Sequence, residues 1–238
     1  MLKRFIDLSS SVLGVILLLP LFVIVAIAIK TETPGPVFFR QIRVGLQGSR
    51  FRIFKFRTMV SDAESMGKKL TVGGDSRITK VGLFLRRHNI DELPQLLNVV
   101  AGDMSLVGPR PEIPEFVDRF ADEYMEILKC RPGITDRTTL LFRREEEILS
   151  ISDNPTDFYL HYIMPYKIRS YQRFIAQSNV ARDLSTIFDT LFNRGNVLEP
   201  IAFHSGLRFQ VAVEKHAALS NLRIDSRQRK TVARQNFQ

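Results

Sequence analysis

The sequence predicts a mainly helical α+β fold with a membrane-associated N-terminus, and three observations lead to this prediction. Residues 12–29 form an uncharged apolar run whose length falls at the lower end of the roughly 17–25 residues that span a bilayer. Residues 37–44 and 51–58 alternate partly between apolar and polar side chains, which is typical of strands. Apolar residues at helical spacing recur in three further segments, residues 80–87, 91–100 and 182–192.

Composition limits the class of partner and the compartment. A net charge of +9 over 238 residues indicates an anionic partner, which could be nucleic acid, acidic lipid headgroups or a polyphosphate substrate. The single cysteine, Cys130, excludes an internal disulfide and fits a reducing compartment. We predict a membrane segment over residues 1–30, one compact domain over residues 31–195 and a basic tail over residues 196–238.

The N-terminal apolar run contains Pro20, which removes one helical hydrogen bond and favours a kink. Both flanks are basic, with Lys3 and Arg4 before the run and Lys30 after it. The positive-inside rule favours such residues on the cytoplasmic side, so a straight span would put one flank on the wrong side. We therefore predict a re-entrant helix that bends at a hinge at Pro20 and returns to the same face; a plain transmembrane helix is the alternative.

The two alternating segments flank the short linker Gly45–Gly48 and together predict a small β-hairpin. Three basic side chains, Arg52, Lys55 and Arg57, border its second strand. A solvated strand face explains most such residues. Beside a membrane they could instead contact acidic headgroups, an interaction worth about 1 kcal/mol for each basic residue near the surface. Between residues 61 and 80 we expect a short helix and then a loop.

Two adjacent carboxylates, Asp91 and Glu92, begin the next predicted helix, after Asn89 as a plausible cap. Adjacent side chains point in different directions, so the pair can divide two tasks, with one carboxylate reacting and the other holding a metal. Acidic residues in a first helical turn are also favourable to the helix dipole, so the pair alone could be an ordinary helix start. Arg86 lies just before the pair and Arg110 lies in a later Gly/Pro-rich turn. Carboxylates accompanied by guanidinium groups indicate a site for a phosphorylated substrate.

The chain resembles a known family along much of its length, the bacterial sugar transferases or monotopic phosphoglycosyl transferases. The order and spacing of the shared motifs run from residue 3 to about residue 135. The matching residues are Lys3-Arg4 with Asp7, Pro34-Gly35-Pro36-Val37-Phe38 with Gln41, Arg43-Val44-Gly45, Lys55-Phe56-Arg57-Thr58-Met59, Asp75 with Arg77-Ile78-Thr79, Asp91-Glu92-Leu93-Pro94-Gln95, Asn98-Val99, residues 102–112 and Arg131-Pro132-Gly133-Ile134-Thr135.

The resemblance implies an activity and a role for each candidate site residue. Members of the family move a sugar-1-phosphate from a UDP-sugar to a polyprenyl phosphate such as undecaprenyl phosphate, the first membrane step of glycan assembly. Asp91 would be the nucleophile that forms an aspartyl-phosphosugar intermediate, and Glu92 would hold Mg²⁺. Arg86 and Arg110 would bind phosphate; for Arg110 the alternative is a salt bridge that braces its turn. Arg57 is a further candidate substrate or phosphate contact.

The resemblance also implies a location and a set of partners. We expect a monotopic protein at the cytoplasmic face of a bacterial inner membrane, in contact with anionic lipid headgroups and without a nucleic-acid partner. Interfacial amphipathic helices, such as residues 182–192, would help to hold the compact catalytic domain there. The chain begins directly at the re-entrant segment, as expected of the small subclass, and a homodimer is among the open oligomeric states.

The segment after residue 135 departs from the family pattern, which usually continues with glycine where this chain has Asp136. No sugar is therefore inferred. Asp183 matches a family aspartate and is expected to be structural. Two alternatives remain, a membrane-anchored nucleic-acid-binding protein and an inactive scaffold. The first leaves the Asp91-Glu92 and Pro-Arg-Pro motifs unexplained, and the intact carboxylate pair argues against the second.

Overall fold

The computed structural model describes residues 2–66, 70–150 and 152–192. Within these ranges the chain is mainly helical and carries two small sheets, so the predicted fold class is confirmed. The helices are α1 (Leu2–Glu32), α2 (Lys80–Arg87), α3 (Gln95–Ala101), α4 (Pro114–Arg119), α5 (Ala121–Ile127), α6 (Arg137–Leu141), α7 (Glu145–Leu149), α8 (Pro155–Phe158), α9 (Met164–Gln177) and α10 (Val180–Leu191). The strands are β1 (Phe38–Val44), β2 (Arg50–Phe56), β3 (Ser105–Val107) and β4 (Gly133–Thr135). The predicted end of the domain at residue 195 and the basic tail, residues 196–238, lie outside the described residues.

The N-terminal helix α1 is long and apolar enough to cross a membrane, with a hydropathy of 3.2 over its apolar window, of which 17% is buried. The helix runs without interruption through Pro20, so any change of direction there is a bend inside one helix, and the hinge stays a prediction. Phe22, Val25 and Ile29 form the buried face of α1. The Phe22 ring meets Phe56 of β2 edge to face, with ring centroids 5.2 Å apart.

Both ends of α1 are bound to the same domain. Near the N-terminus, Arg4 donates to a carbonyl in the last turn of α3 at 2.9 Å, and Asp7 accepts a hydrogen bond from Ser105 Oγ at 2.7 Å. At the other end, the Glu32 carboxylate accepts from the first two N–H groups of α2 at 2.7 and 3.0 Å, as helix-capping side chains do. A helix of 31 residues would be about 46 Å long if straight, and the domain binds both of its ends.

The predicted hairpin is confirmed. Strands β1 and β2 pair in antiparallel register from Phe38 opposite Phe56 to Val44 opposite Arg50. Phe51 and Ile53 of β2 are buried against α3, whereas Phe56, on the opposite face of the strand, is buried against α1. The side chains of Arg50 and Arg52 are exposed.

A parallel pairing of β3 with β4 was not predicted, since residues 102–111 were interpreted as a turn alone. Ser105 pairs with Gly133 and Val107 with Thr135. Strands of three residues are too short to show an alternating pattern. The two strands also approach at a point where only glycine fits, because a Cβ atom on Gly133 would lie 2.0 Å from the Gly108 nitrogen.

The helix predicted over residues 182–192 is present as α10, and α9 precedes it. Helix α9 buries Tyr166, Ile168 and Tyr171 in the largest hydrophobic core. Helix α10 is amphipathic, and its Asp183 forms an ion pair with Lys3 of α1. This contact agrees with a structural role for Asp183, since it fastens the end of the domain to the start of the apolar helix.

Candidate active site

The carboxylate pair lies in a short 3₁₀ turn, Ile90–Glu92, that links α2 to α3. The prediction that Asp91 and Glu92 open an α-helix was wrong in detail, because α3 begins only at Gln95, after Pro94. Asn89 does not act as a side-chain cap; it turns the backbone with a φ of 54°, a left-handed conformation that asparagine tolerates. The turn leaves Asp91 8% exposed and points Glu92 towards the hairpin.

A buried asparagine fixes this turn to the hairpin. Asn98 of α3 accepts a hydrogen bond from the Phe54 N–H at 2.8 Å and donates to the Arg52 carbonyl at 2.9 Å. Its side chain is fully buried, so α3 is held against β2 in one register. This register brings Lys55 of β2 beside the carboxylate pair.

Glu92 is held by two cations. Lys55 Nζ donates to Glu92 Oε1 at 2.7 Å. Arg110 donates from Nη1 to Glu92 Oε2 at 3.0 Å and from Nη2 to Oε1, which is the bidentate geometry that guanidinium and carboxylate groups favour. Burial alone would raise the pKa of Glu92, but Arg110 and Lys55 outweigh burial and hold the pKa well below its usual range. Glu92 is therefore ionised in the folded protein at neutral pH.

Asp91 has the opposite electrostatic character. Burial raises the pKa of Asp91 above its ordinary value, and the neighbouring Glu92 charge raises the pKa further. Lys55, Arg86 and Arg110 oppose this shift, so all three cations lie near the carboxylate. Two adjacent carboxylates with pKa values driven apart are typical of sites in which the groups have different tasks.

Arg86 enters the site from the last turn of α2. Its Nη1 donates to Thr58 Oγ1 at 3.1 Å, and its Nη2 is paired with Glu146 of α7. Helix α2 packs so closely on the end of β2 that a Cβ atom on Gly82 would lie 2.0 Å from the Thr58 carbonyl oxygen. This close packing fixes the position from which Arg86 acts on Asp91.

The turn that carries Arg110 is braced against the first strand of the hairpin. Arg43 Nη1 donates to the Pro111 carbonyl at 3.2 Å, and the Val44 N–H donates to the Glu112 carbonyl at 3.1 Å. Backbone and side-chain contacts therefore both hold the Pro-Arg-Pro turn. The ion pair of Arg110 is made with the site carboxylate Glu92 and not with a bracing residue of its own turn.

Arg57 is placed differently from the other predicted arginines. Its guanidinium donates to the Pro34 carbonyl, to the Thr33 carbonyl at 2.9 Å and to Ser61 Oγ at 2.7 Å, and the residue is 6% exposed. It therefore clamps the turn that follows α1. The contacts of Arg57 give its predicted role in phosphate binding no support.

The donor set for a metal is small. The structure contains no group of three or more His, Cys, Asp or Glu residues placed to hold a metal ion within residues 2–66, 70–150 and 152–192. Asp91 and Glu92 are the adjacent oxygen donors at the site. Mg²⁺ commonly takes only one or two protein carboxylates and completes its shell with water and substrate phosphates, so this donor set fits Mg²⁺ once a diphosphate is bound.

The fold and the site together define a membrane-associated protein in which a cation-rimmed carboxylate pair lies beside an apolar N-terminal helix. More particularly, the chain belongs to the bacterial sugar transferase family, whose model matches residues 1–195. The resemblance inferred from the sequence motifs is thereby confirmed.

Individual relatives agree with the family match. A UDP-N-acetylgalactosamine-undecaprenyl-phosphate N-acetylgalactosaminephosphotransferase from Aeromonas hydrophila is 47% identical over 137 residues, 56% of this chain and 32% of the relative. A Bacillus subtilis (strain 168) protein, provisionally named an undecaprenyl-phosphate N-acetylgalactosaminyl 1-phosphate transferase, is 43% identical over 57% of this chain and 72% of its own length. A UDP-glucose:undecaprenyl-phosphate glucose-1-phosphate transferase from Caulobacter vibrioides is 46% identical over 56% of this chain and 51% of its own length. The matched segment thus spans between a third and three quarters of these relatives.

Sequence reasoning missed three contacts at the site. Lys55 was interpreted as a neighbour of the site or a headgroup contact, and its ion pair with Glu92 was not foreseen. Asn98 was noted only as part of a motif, and Glu146 lies in the segment that departs from the family pattern. Lys55 shares a face of β2 with Phe51 and Ile53, and this basic residue on an apolar strand face was the available signal; Asn98 and Glu146 act through tertiary contacts that spacing does not reveal.

Proposed function

We propose that this chain transfers a sugar-1-phosphate from a UDP-sugar to undecaprenyl phosphate, as the names of its relatives state for them. The single observation that carries the proposal is the geometry of the carboxylate pair. Asp91 is buried with a raised pKa, Glu92 is held ionised between Lys55 and Arg110, and the positive charge of Arg86 acts on Asp91. A nucleophile beside fixed cations is what transfer of a phosphoryl group requires.

The reaction proceeds in two displacements. In the first, a carboxylate oxygen of Asp91 attacks the sugar-bearing phosphorus, the bond from that phosphorus to the UMP oxygen breaks, and UMP leaves with the bonding electrons. In the second, an oxygen of undecaprenyl phosphate attacks the same phosphorus, and the bond to Asp91 breaks. The carboxylate is regenerated, and the product is an undecaprenyl-diphosphate sugar.

The environment of Asp91 suits the nucleophilic role. A raised pKa makes a carboxylate a stronger base and nucleophile once it is deprotonated. Lys55, Arg86 and Arg110 oppose the rise in the pKa of Asp91 and so favour its ionised, nucleophilic form. We expect the same three cations to stabilise the negative charge that grows on the transferred phosphoryl group and on the departing nucleotide.

The cations also supply the donor-binding surface. Arg110 and Lys55 are held on one carboxylate, so their remaining N–H groups are fixed in direction before the substrate arrives. Such pre-organisation avoids the cost of ordering flexible side chains at the moment of binding. We expect Arg110 to contact the diphosphate by its outer edge while its other edge stays on Glu92.

Glu92, with Asp91 beside it, is the residue that would hold Mg²⁺ together with oxygen atoms of the diphosphate. When bound, the metal supplies positive charge that neutralises the diphosphate and the nucleotide that leaves. The contribution of this chain is the fixed orientation of Glu92, which Lys55 and Arg110 maintain.

We further propose a monotopic arrangement at the cytoplasmic face of the bacterial inner membrane. It is supported by the contacts of α1, because Arg4 and Glu32, near opposite ends of the helix, bind the same domain. A helix that crossed the bilayer would place those two contacts on opposite faces of the membrane, whereas one polar domain can make both from a single face. The acceptor needs only to raise its phosphate to the headgroup level, since its isoprenoid tail can stay in the lipid.

The test is release of UMP by membrane fractions that contain the full chain, with undecaprenyl phosphate, Mg²⁺ and a panel of UDP-hexoses and UDP-N-acetylhexosamines. The proposal predicts UMP release that depends on the acceptor and on one or a few donors. The Asp91→Asn variant should lose this activity, whereas Asp118→Asn, a change at an exposed residue of α4, should retain it. Acceptor-dependent release that is unchanged in the Asp91→Asn variant would remove Asp91 from the mechanism.

A further inference from the structure

A buried lysine lies close to the Pro-Arg-Pro turn, beside Glu112. Lys167 of α9 is 3% exposed. Its ammonium group is 2.5 Å from Glu145 Oε2, donates to Tyr159 Oη at 3.3 Å and is 3.8 Å from Glu112 Oε1. It also lies over the Tyr159 ring, 4.9 Å from the centroid. An ammonium group is costly to bury unless carboxylates compensate it, and here two carboxylates do so.

One of these carboxylates, Glu112, is close to the phosphate-binding arginine. Glu112 follows Arg110 by two positions and is 6% exposed. Tyr159 Oη donates to its Oε1 at 2.8 Å, and Arg43 Nη1 is 3.8 Å from its Oε2. The Glu92 carboxylate contributes most to the raised pKa of Arg110, and the Glu112 carboxylate raises that pKa as well. Arg110 therefore has a second carboxylate within electrostatic reach, although its hydrogen bonds go to Glu92.

We propose that Lys167 is a positioning residue for Arg110, because it neutralises Glu112 from behind and so leaves Arg110 paired with Glu92. Without the ammonium group, Glu112 would be a buried anion, with a tyrosine hydroxyl and a more distant Arg43 as its remaining contacts. Such an anion attracts nearby cations, and Arg43 is already held by the Pro111 carbonyl and Gln41 Oε1. Arg110 would then rotate towards Glu112 and release Glu92, and the site would lose its fixed diphosphate contact.

Removing one or the other of the two carboxylates that contact Lys167 distinguishes a positioning role from a purely stabilising role. Glu145 is its closer partner, but the Glu145 side chain is 24% exposed and lies at the start of α7, where water can solvate it. Glu112 is sealed from water and acts on Arg110. If Lys167 only stabilised the fold, removing either carboxylate would relieve its loss. If Lys167 positions Arg110, only removal of Glu112 restores activity.

The experiment compares four variants with the wild-type chain in the UMP-release assay, so this readout rests on the proposed function. We expect Lys167→Met to lower kcat/KM by about 10²-fold, as misplacement of a contact group by about 1 Å can do. The double variant Lys167→Met/Glu112→Gln should recover to within about threefold of Glu112→Gln alone. Lys167→Met/Glu145→Gln should stay as low as Lys167→Met. Equal rescue by both second changes, or a Lys167→Met variant with wild-type activity, would overturn the proposal.

A direct structural readout separates the failure of this inference from failure of the proposed function. Crystal or cryo-EM structures should show Arg110 released from Glu92 in Lys167→Met and returned to Glu92 in Lys167→Met/Glu112→Gln. This comparison needs no turnover, so it remains decisive if no donor yields UMP. If Lys167→Met does not fold, the structure of Lys167→Met/Glu112→Gln still tests the proposal. The proposal expects Arg110 to be paired with Glu92 in this double variant, and loss of that pair would contradict it.

Discussion

Arg110 and Glu92 form a two-pronged ion pair in which Nη1 donates to Oε2 at 3.0 Å and Nη2 donates to Oε1. The same Oε1 accepts from Lys55 at 2.7 Å. The pair joins the Pro-Arg-Pro turn, the hairpin and the turn before α3 at one carboxylate. Because three elements meet there, the position of Glu92 sets the positions of Lys55 and Arg110, two of the three cations near Asp91.

The first prediction concerns this two-pronged geometry. A lysine at position 110 keeps the charge but cannot donate two parallel N–H groups to one carboxylate. We therefore expect Arg110→Lys to lower kcat/KM for UMP release by about 10²-fold, and Arg110→Gln to lower it further. Arg119→Lys, at an exposed position of α4, is the matched control and should behave as wild type. Wild-type kinetics in Arg110→Lys would mean that charge alone is sufficient there.

The second prediction concerns stability. Burial raises the pKa of Asp91, so the ionised carboxylate costs the folded state free energy above its unfolded pKa of about 3.9. Asp91→Asn removes this cost. At pH 7 we therefore expect the Tm of Asp91→Asn to be higher than that of wild type, by the few degrees that single substitutions typically produce in a chain of this size.

The sign of this effect can be checked with pH. The Tm difference should shrink as the pH falls through the folded-state pKa of Asp91 and vanish below the unfolded value, where the aspartate is protonated in both states. Asp118→Asn provides the exposed control. A Tm for Asp91→Asn that lies below wild type at pH 7 would show that the Asp91 charge stabilises the fold.

The third prediction concerns the pH dependence of activity. Arg86 lowers the pKa of Asp91 against the larger effects of burial and Glu92. Removing the positive charge with Arg86→Gln should raise the pKa of Asp91 further. Because Asp91 must be deprotonated to attack phosphorus, the acidic limb of the kcat/KM profile should move to higher pH. Arg87→Gln changes the exposed neighbour and should leave the limb in place; a limb that moves to lower pH in Arg86→Gln would contradict the assignment.

The fourth prediction separates two roles for Arg57. Its hydrogen bonds to the Thr33 and Pro34 carbonyls indicate a clamp on the turn after α1. Arg57→Lys should therefore lower the free energy of unfolding by about 1–3 kcal/mol and leave KM for the UDP-sugar within about twofold of wild type. Urea unfolding and steady-state kinetics measure the two quantities. A tenfold rise in KM for the UDP-sugar without a loss of stability would instead indicate that Arg57 binds phosphate.

The fifth prediction concerns topology. Single cysteines at Phe5 and Ser65, both at exposed positions, should resist a membrane-impermeant maleimide in intact cells and react in inverted vesicles. The native Cys130 gives little background, because burial raises the pKa of its thiol to about 11 and the thiolate is the reactive form. Labelling of the Phe5→Cys variant in intact cells, with Ser65→Cys protected, would show that α1 crosses the bilayer.

The sequence predicts the regular elements near the site well, for reasons that are local. The hairpin, α2 and α10 follow from side-chain alternation and helical periodicity, which are properties of short segments. Asp91, Glu92, Arg86 and Arg110 were identified by motif, and the structure brings them together. The β3–β4 pairing was missed because it joins two three-residue strands through glycines whose close approach leaves no trace in hydrophobic pattern.

The side-chain partners are less predictable, since they depend on packing between distant segments. Lys55 reaches Glu92 only because Asn98 fixes α3 against β2. Arg57 follows the end of β2, two positions after Lys55, and yet its guanidinium binds the turn after α1. Both side chains are basic, so residue type alone does not separate a cation at the site from a cation that braces the fold.

The most direct test of the central claim is to trap the covalent intermediate on Asp91. The full chain would be incubated with a UDP-sugar labelled in its sugar-linked phosphate, without acceptor, and its peptides analysed by mass spectrometry. The account predicts a sugar-phosphate adduct on the peptide that contains Asp91, lost on addition of undecaprenyl phosphate and absent in Asp91→Asn. An adduct on another residue would contradict the proposed role of Asp91. Product formation without any detectable labelled adduct on the protein would contradict it as well.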